Sequence, residues 1–144
     1  MNDERGAPTT GEPVRFLLPE PPSLNEIVEL AKKGRRGMVY WSRQQAYQNR
    51  AKIMMRNQHP RPDVPWPKWV IVRQHYRLWN ERDLPELSVG LKWAVDALHQ
   101  AGYVEDDSPR HLVDVAKPTQ EIDRMIDREE EGFILEIAEL LSYE

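Results

Sequence analysis

Three carboxylates stand in a row at Glu105, Asp106 and Asp107, ahead of Ser108 and Pro109, and two more lie upstream at Asp83 and Glu86. Adjacent carboxylates repel one another unless a cation or a proton relieves them. The chain holds no cysteine, and its four histidines, His59, His75, His99 and His111, show no tight metal spacing. A thiolate or zinc site is therefore not expected, and the available donors are oxygens, which suit a hard cation such as Mg²⁺. A cation held this way polarises a phosphate and lowers the pKa of a bound water, while a nearby lysine offsets charge on the oxyanion that develops. Lys92 stands between the two acidic groups, and Asp96 follows it at the i+4 position. Spacing alone leaves two roles open for Lys92: that assisting cation, or half of an ordinary intrahelical pair with Asp96.

The element that must carry these groups is a helix. Leu87, Leu91, Ala94, Val95 and Leu98 follow the i, i+4, i+7, i+8, i+11 spacing of one apolar stripe, with Pro85 where a first turn accepts proline. Gly102, after Gln100 and Ala101, is a helix stop. Helical residues from Glu86 to Gln100 hold the two acidic ends about 22 Å apart at 1.5 Å per residue. Two arrangements close that distance. Residues Gly102 to Ser108 fold back along the helix, at about 3.3 Å each, or a second subunit supplies its own Asp106 and Asp107.

The succession of Lys92, Asp96-Ala97-Leu98, Ala101-Gly102-Tyr103 and Asp106-Asp107 resembles the RusA family of Holliday junction resolvases, small dimeric nucleases that cut four-way DNA with magnesium. In that family a lysine precedes an Asp-Ala-Leu by four residues, and an Asp-Asp pair follows a short Ala-Gly-aromatic turn. Pro21-Pro22-Ser23-Leu24-Asn25 is similar to the Pro-Pro-Ser-x-Asn after the family's first strand; its plain alternative is a rigid turn with Asn25 bonding the backbone. The family's Asp-Leu-Asp-Asn-Leu at the helix start reads here as Asp83-Leu84-Pro85-Glu86-Leu87-Ser88-Val89. Counting back from Lys92 puts Glu86 and Ser88 on the two metal-binding aspartates, whereas matching Arg82-Asp83-Leu84 to the family's Arg-Asp-Leu needs two extra residues. Either way one carboxylate is missing. The resemblance implies a Mg²⁺-dependent endonuclease that resolves four-way junctions in DNA recombination and repair, working as a homodimer. Lys92, Asp107, Asp83 and Glu86 are its implied catalytic residues, and Asp106, Asp107 and one of Asp83 or Glu86 would hold the metal. The altered start implies an alternative, a catalytically weakened relative that binds branched DNA without cutting it.

Net charge is −4, yet the sign changes along the chain. From Ala31 to Arg61 there are nine lysines and arginines and no acid, whereas from Pro62 onward nine basic residues face eighteen acidic ones. A concentrated basic segment in an acidic protein neutralises phosphates locally while the remainder carries a cation. Lys32, Lys33, Arg35, Arg36, Arg43 and Arg50 are the predicted DNA-binding residues, the first four in a loop opened by Gly34 and Gly37 and the others on a helix from about Ser42 to Asn57. The plain alternative is a solvated basic loop. Tyr40, Trp41 and Tyr47 lie among these cations and either stack on an unpaired base or belong to the core.

The rest of the chain reads as a single RusA-like domain over residues 13–144, preceded by a disordered tail over residues 1–12. Val14, Phe16 and Leu18 alternate with Arg15 and Leu17 in a short strand; Trp69 to Trp79 makes the longest, central strand; His111 to Lys117 and Gly132 to Leu140 close the chain as two more. The order β-α-β-α-β-β predicts an α+β fold, a mixed sheet of about four strands with two principal helices. No apolar run reaches the roughly 20 residues of a membrane span, and the acidic, polar N-terminus is unlike a signal peptide. A soluble cytoplasmic protein is the expectation.

Overall fold

The computed structural model describes residues 8–32, 37–81, 90–126 and 132–143. These form six strands and three helices in an α+β arrangement: β1 (Pro8–Thr10), β2 (Val14–Pro19), α1 (Leu24–Lys32), α2 (Met38–Gln58), β3 (Trp69–Leu78), α3 (Leu91–Gln100), β4 (Leu112–Val115), β5 (Pro118–Ile122) and β6 (Gly132–Tyr143).

The strands occupy four rows of one mixed sheet. β6 pairs antiparallel with β2 and, further along, with β1, so these two short strands share one edge. On its other side β6 pairs antiparallel with β3, which pairs parallel with β4 and then β5 along the opposite edge. Both edge rows are broken, by residues 11–13 and by Ala116 and Lys117. β3 is an interior strand, as its two-sided apolar start predicts. Two stretches depart from the sequence reading. Pro8–Thr10, expected to be part of a disordered tail, pairs with Leu140 to Tyr143 of β6. The strand expected from His111 to Lys117 is shorter and is followed by a second one, β5, whose sequence Pro-Thr-Gln-Glu-Ile has no apolar alternation. An edge strand with one open face needs little, and Pro118 is tolerated at its first position.

One face of the sheet is covered. Phe16, Leu18, Ile71, Tyr76, Leu78, Phe133, Leu135 and Ile137 are buried in a single cluster with Tyr47, Ala51 and Met55 of α2 and Trp93, Ala94, Ala97 and Leu98 of α3. Even spacing along β3 would put Val70, Val72 and Tyr76 on one side. Instead the register slips between Ile71 and Arg73, so Val72 is an extra residue and the faces exchange. Trp69, Val70 and Ile71 before the slip, and Gln74, Tyr76 and Leu78 after it, are buried, with Val70 outside the main cluster.

The helices also differ from expectation in detail. Ser23, not Asn25, makes the turn after the double proline, its Oγ accepting from the Glu26 amide at 3.2 Å and its carbonyl from Ile27 at 3.0 Å. It is the N-cap of α1, and Asn25 lies within that helix. α2 starts at Met38, four residues before Ser42, behind Gly37 at φ 71. Tyr40 on this added turn meets Trp93 edge-on at 5.4 Å, so tertiary packing extends the helix past the residue best suited to cap it.

α2 ends by sealing the outer edge of β2. The Gln58 carboxamide accepts from Leu17 N and donates to Leu17 O, each at 2.7 Å, standing in for a neighbouring strand. His59 Nε2 meets Arg15 O at 2.8 Å, and Tyr47 Oη donates to Pro19 O at 2.9 Å. Gln58→Ala is expected to lower stability by about 1 kcal/mol and to promote self-association through the bared edge. Urea unfolding and light scattering check both; an unchanged midpoint would mean that water replaces the amide without loss.

Candidate functional site

The site is built on the two ends of α3. At its start, Gly90 sits so close to the double-proline turn that a Cβ there would lie 2.4 Å from Pro22 O and 2.7 Å from Pro21 Cβ. The turn after β2 therefore fixes where α3 begins, and Lys92 with it. At its end Gly102 takes φ 89, the left-handed conformation that stops a helix. Gly102 N donates to His99 O at 3.1 Å and Tyr103 N to Leu98 O at 3.0 Å, closing the last turn.

The chain then runs back and is pinned at each step. The Tyr103 ring packs edge-on against Phe16 at 5.1 Å, and its hydroxyl donates to His59 O. Trp66 N donates to Tyr103 O and Glu105 N to Trp66 O, both at 3.0 Å, around a parallel bridge between Trp66 and Val104. Trp69 Nε1 donates to Asp106 O at 2.8 Å. These contacts deliver Asp107 to the start of the helix, where Lys92 Nζ donates to Asp107 Oδ2 at 2.8 Å. The same ammonium reaches Asp96 Oδ1, one turn on, at 3.4 Å. Lys92 and Asp107 are joined by a fold-back within one chain, while the Glu86 end, for which two arrangements were open, lies outside the described residues. Lys92 makes both the intrahelical pair and the long-range one, and the long-range contact is shorter.

Charge within the cluster is uneven. The hydrogen bond from Lys92 holds the Asp107 carboxyl below the ordinary value of 3.8, and hydrogen bonding with Asp106 adds to this; Asp107 N donates to Asp106 Oδ1 at 2.7 Å. Asp96 moves the other way, raised above 3.8 mainly by burial, against the pull of Lys92. Lys92 is raised above 10.5, chiefly by its bond to Asp107. The lowered Asp107 contributes stability that is complete above its ordinary value and is lost as pH falls through the lowered one. Asp96 has the opposite sign, its ionisation opposing folding, and Lys92 contributes below 10.5 and loses that contribution as pH rises past it. Carboxyl NMR of the metal-free protein is expected to find Asp107 titrating below 3.8 and Asp96 above it. In Lys92→Met both should rise. Coincident titrations in the wild type would show that the ammonium does not favour Asp107.

No family model matches the chain, and no curated protein matches it.

Of the predicted site residues, the structure brings together Lys92, Asp106 and Asp107. Asp83 and Glu86 lie outside the described residues, as do Lys33, Arg35 and Arg36. Among the described residues no group of three or more histidine, aspartate or glutamate side chains could hold a metal. The donors that are described suit Mg²⁺ in kind, being carboxylate oxygens only. Asp106 and Asp107 are both partly exposed, with Asp107 Oδ2 turned to Lys92 and Asp106 Oδ1 to an amide.

The basic segment is not uniformly open. Arg43 Nε is 3.2 Å from Glu26 Oε2, and its guanidinium lies 5.9 Å over the Trp93 ring, so it joins α1, α2 and α3. Lys32 is exposed and, among the described residues, makes a loose contact with Glu29 at 3.9 Å. Arg50 is exposed. Tyr47 is buried and Tyr40 partly so, both against Trp93, which assigns them to the core; Trp41 is 58% exposed. Sequence reading missed Trp66, Trp69 and Gly90, which position the site. The signals were present, a proline-spaced Trp-Pro-Lys-Trp and a glycine two residues before the lysine, but their meaning depends on what they meet in space.

Proposed function

We propose that the chain is a RusA-like, Mg²⁺-dependent endonuclease that resolves four-way DNA junctions as a homodimer. The observation that carries this reading is the 2.8 Å contact that joins Lys92 at the start of α3 to Asp107 of the Glu-Asp-Asp turn. An ordinary intrahelical pair with Asp96 has no need of a return segment pinned through Trp66, Val104 and Trp69. In this reading Asp107 and Asp106, with one of Asp83 or Glu86, hold Mg²⁺, which when bound activates water and polarises the scissile phosphate. Lys92 offsets charge on the phosphate oxygens at the point where Asp107 orients it. Lys32, Lys33, Arg35, Arg36 and Arg50 neutralise the DNA backbone, with Arg43 contributing from its place beside Glu26.

A second reading is favoured by the sequence of the first acidic motif, where proline and serine stand at positions open to metal-ligating aspartates. It makes the chain a DNA-binding relative that does not cut. One experiment separates the two: a synthetic four-way junction and a linear duplex are incubated with the protein in Mg²⁺, Mn²⁺ or chelator. Metal-dependent nicking of the junction alone supports the nuclease; tight junction binding with no nicking in either metal leaves the binding relative. In the same assay, replacing Lys32, Lys33, Arg35 and Arg36 with alanine is expected to weaken binding to every sequence and to flatten the salt dependence by up to about 0.9 per lost phosphate contact. Unchanged affinity at low salt would remove that patch from the reading.

A further inference from the structure

We propose that the face of the sheet opposite the helices carries, beside β2, a binding site for a nucleotide unit, a phosphate joined to a flat, largely apolar body. A cavity of about 570 Å³ opens there, lined among others by Arg15, Leu17, Arg50, Met54, Arg77 and Ile134. Register explains its shape. Leu17 pairs with Ile134 to make an apolar floor, and Gly132, between Pro19 on one side and Arg77 on the other, adds no side chain, so the floor drops there. α2 is strapped along the edge of β2 by Tyr47 and Gln58, which sets Arg50 and Met54 between them as a wall.

The charge in this cavity points to an anion. Arg77 is held by Asp123 at 2.6 Å, and the carboxylate on the far wall, Glu121, faces His75 at 3.4 Å. Arg15 and Arg50 make no ion pair among the described residues. Two open guanidiniums from two different elements therefore look onto one space, and guanidinium binds phosphate through paired N–H groups while its plane stacks on a base. The volume exceeds the need of a bare phosphate, and Leu17, Met54 and Ile134 offer the remainder a dry surface. The cavity shares no residue with the Lys92 and Asp107 cluster and only Arg50 with the predicted DNA contacts, so Arg15→Ala and Gly132→Val are the variants that separate this site from that surface. A free nucleotide and one nucleotide of a single strand present the same chemistry.

The test is equilibrium binding of the full chain to AMP and, separately, to a short single-stranded oligonucleotide, with inorganic phosphate as competitor. At least one probe is expected to saturate. Arg15→Ala and Arg50→Ala should each weaken it by about tenfold, the loss of one charge-assisted contact, with Arg50→Lys recovering part of the loss. Gly132→Val should fill the floor and abolish binding, and Lys117→Ala, outside the cavity, should leave it unchanged. Saturation by AMP identifies a free nucleotide as the ligand and saturation by the oligonucleotide alone identifies a strand; both support the site. The proposal is overturned if neither probe saturates, if inorganic phosphate competes as well as AMP, or if folded arginine variants bind like the wild type.

Discussion

Under the proposed nuclease function, Lys92→Ala is expected to slow metal-dependent junction cleavage by about a hundredfold to a thousandfold, the scale on which removing one preorganised charge partner of an oxyanion acts. Asp107→Asn should do at least as much, since asparagine is a poor ligand for a hard cation and leaves the ammonium without its closest partner. Lys92 is 68% exposed along its side chain and Asp107 is 29% exposed. Their pairing is therefore not a large source of stability, and both variants should melt near the wild-type temperature. The loss should also fall on turnover and leave junction affinity close to wild type, because the predicted phosphate contacts are made elsewhere. Lys92→Arg, which keeps the charge with a different donor geometry, should retain part of the rate. Cleavage by Lys92→Ala at the wild-type rate would reduce the lysine to a structural pair and remove the main support for the nuclease reading.

Gly90→Ala is expected to cost about 1 to 3 kcal/mol, as overpacking does in a core. Gly90 is the N-cap of α3 and has ordinary helical angles, φ −77 and ψ −15, so backbone conformation does not require glycine, and the preference of helix interiors for alanine does not extend to a cap. Space decides the sign. The added methyl would meet a backbone carbonyl at 2.4 Å and a proline ring at 2.7 Å, neither of which rotates away, so the Pro21-Pro22 turn and the start of α3 must separate. Gly102→Ala makes the contrast. There the strain is conformational, φ 89, while the nearest atoms belong to the flexible Arg61 side chain at 3.4 Å. Denaturant unfolding should rank Gly90→Ala as at least as destabilising as Gly102→Ala. Only Gly90→Ala should also raise the Asp107 titration, because it displaces Lys92. A Gly90→Ala protein with wild-type stability and an unmoved Asp107 would show that the turn does not set the position of the helix.

The sequence by itself determined the fold class, the interior place of β3 and the helix stop at Gly102, because each rests on local patterns: alternation, two-sided apolarity and a residue that tolerates positive φ. It also determined that the donors near the Glu-Asp-Asp turn are oxygens. It did not reveal the slip at Val72, since a bulge is a property of a strand pair and both readings of β3 place apolar residues inside. Nor did it reveal β1 and β5, whose polar residues become strands because β6 and β3 offer them open edges. The stripe read on α3 caught Ala94, Val95 and Leu98 but missed Trp93 and Ala97, because a helix lying between a sheet and a second helix buries more than one side. Only the tertiary structure decided which partner Lys92 takes. Spacing offered Asp96 at a fixed i+4 distance, whereas the nearer carboxylate, Asp107, is fifteen residues away and is brought there by hydrogen bonds to Trp66 and Trp69, which no local pattern encodes.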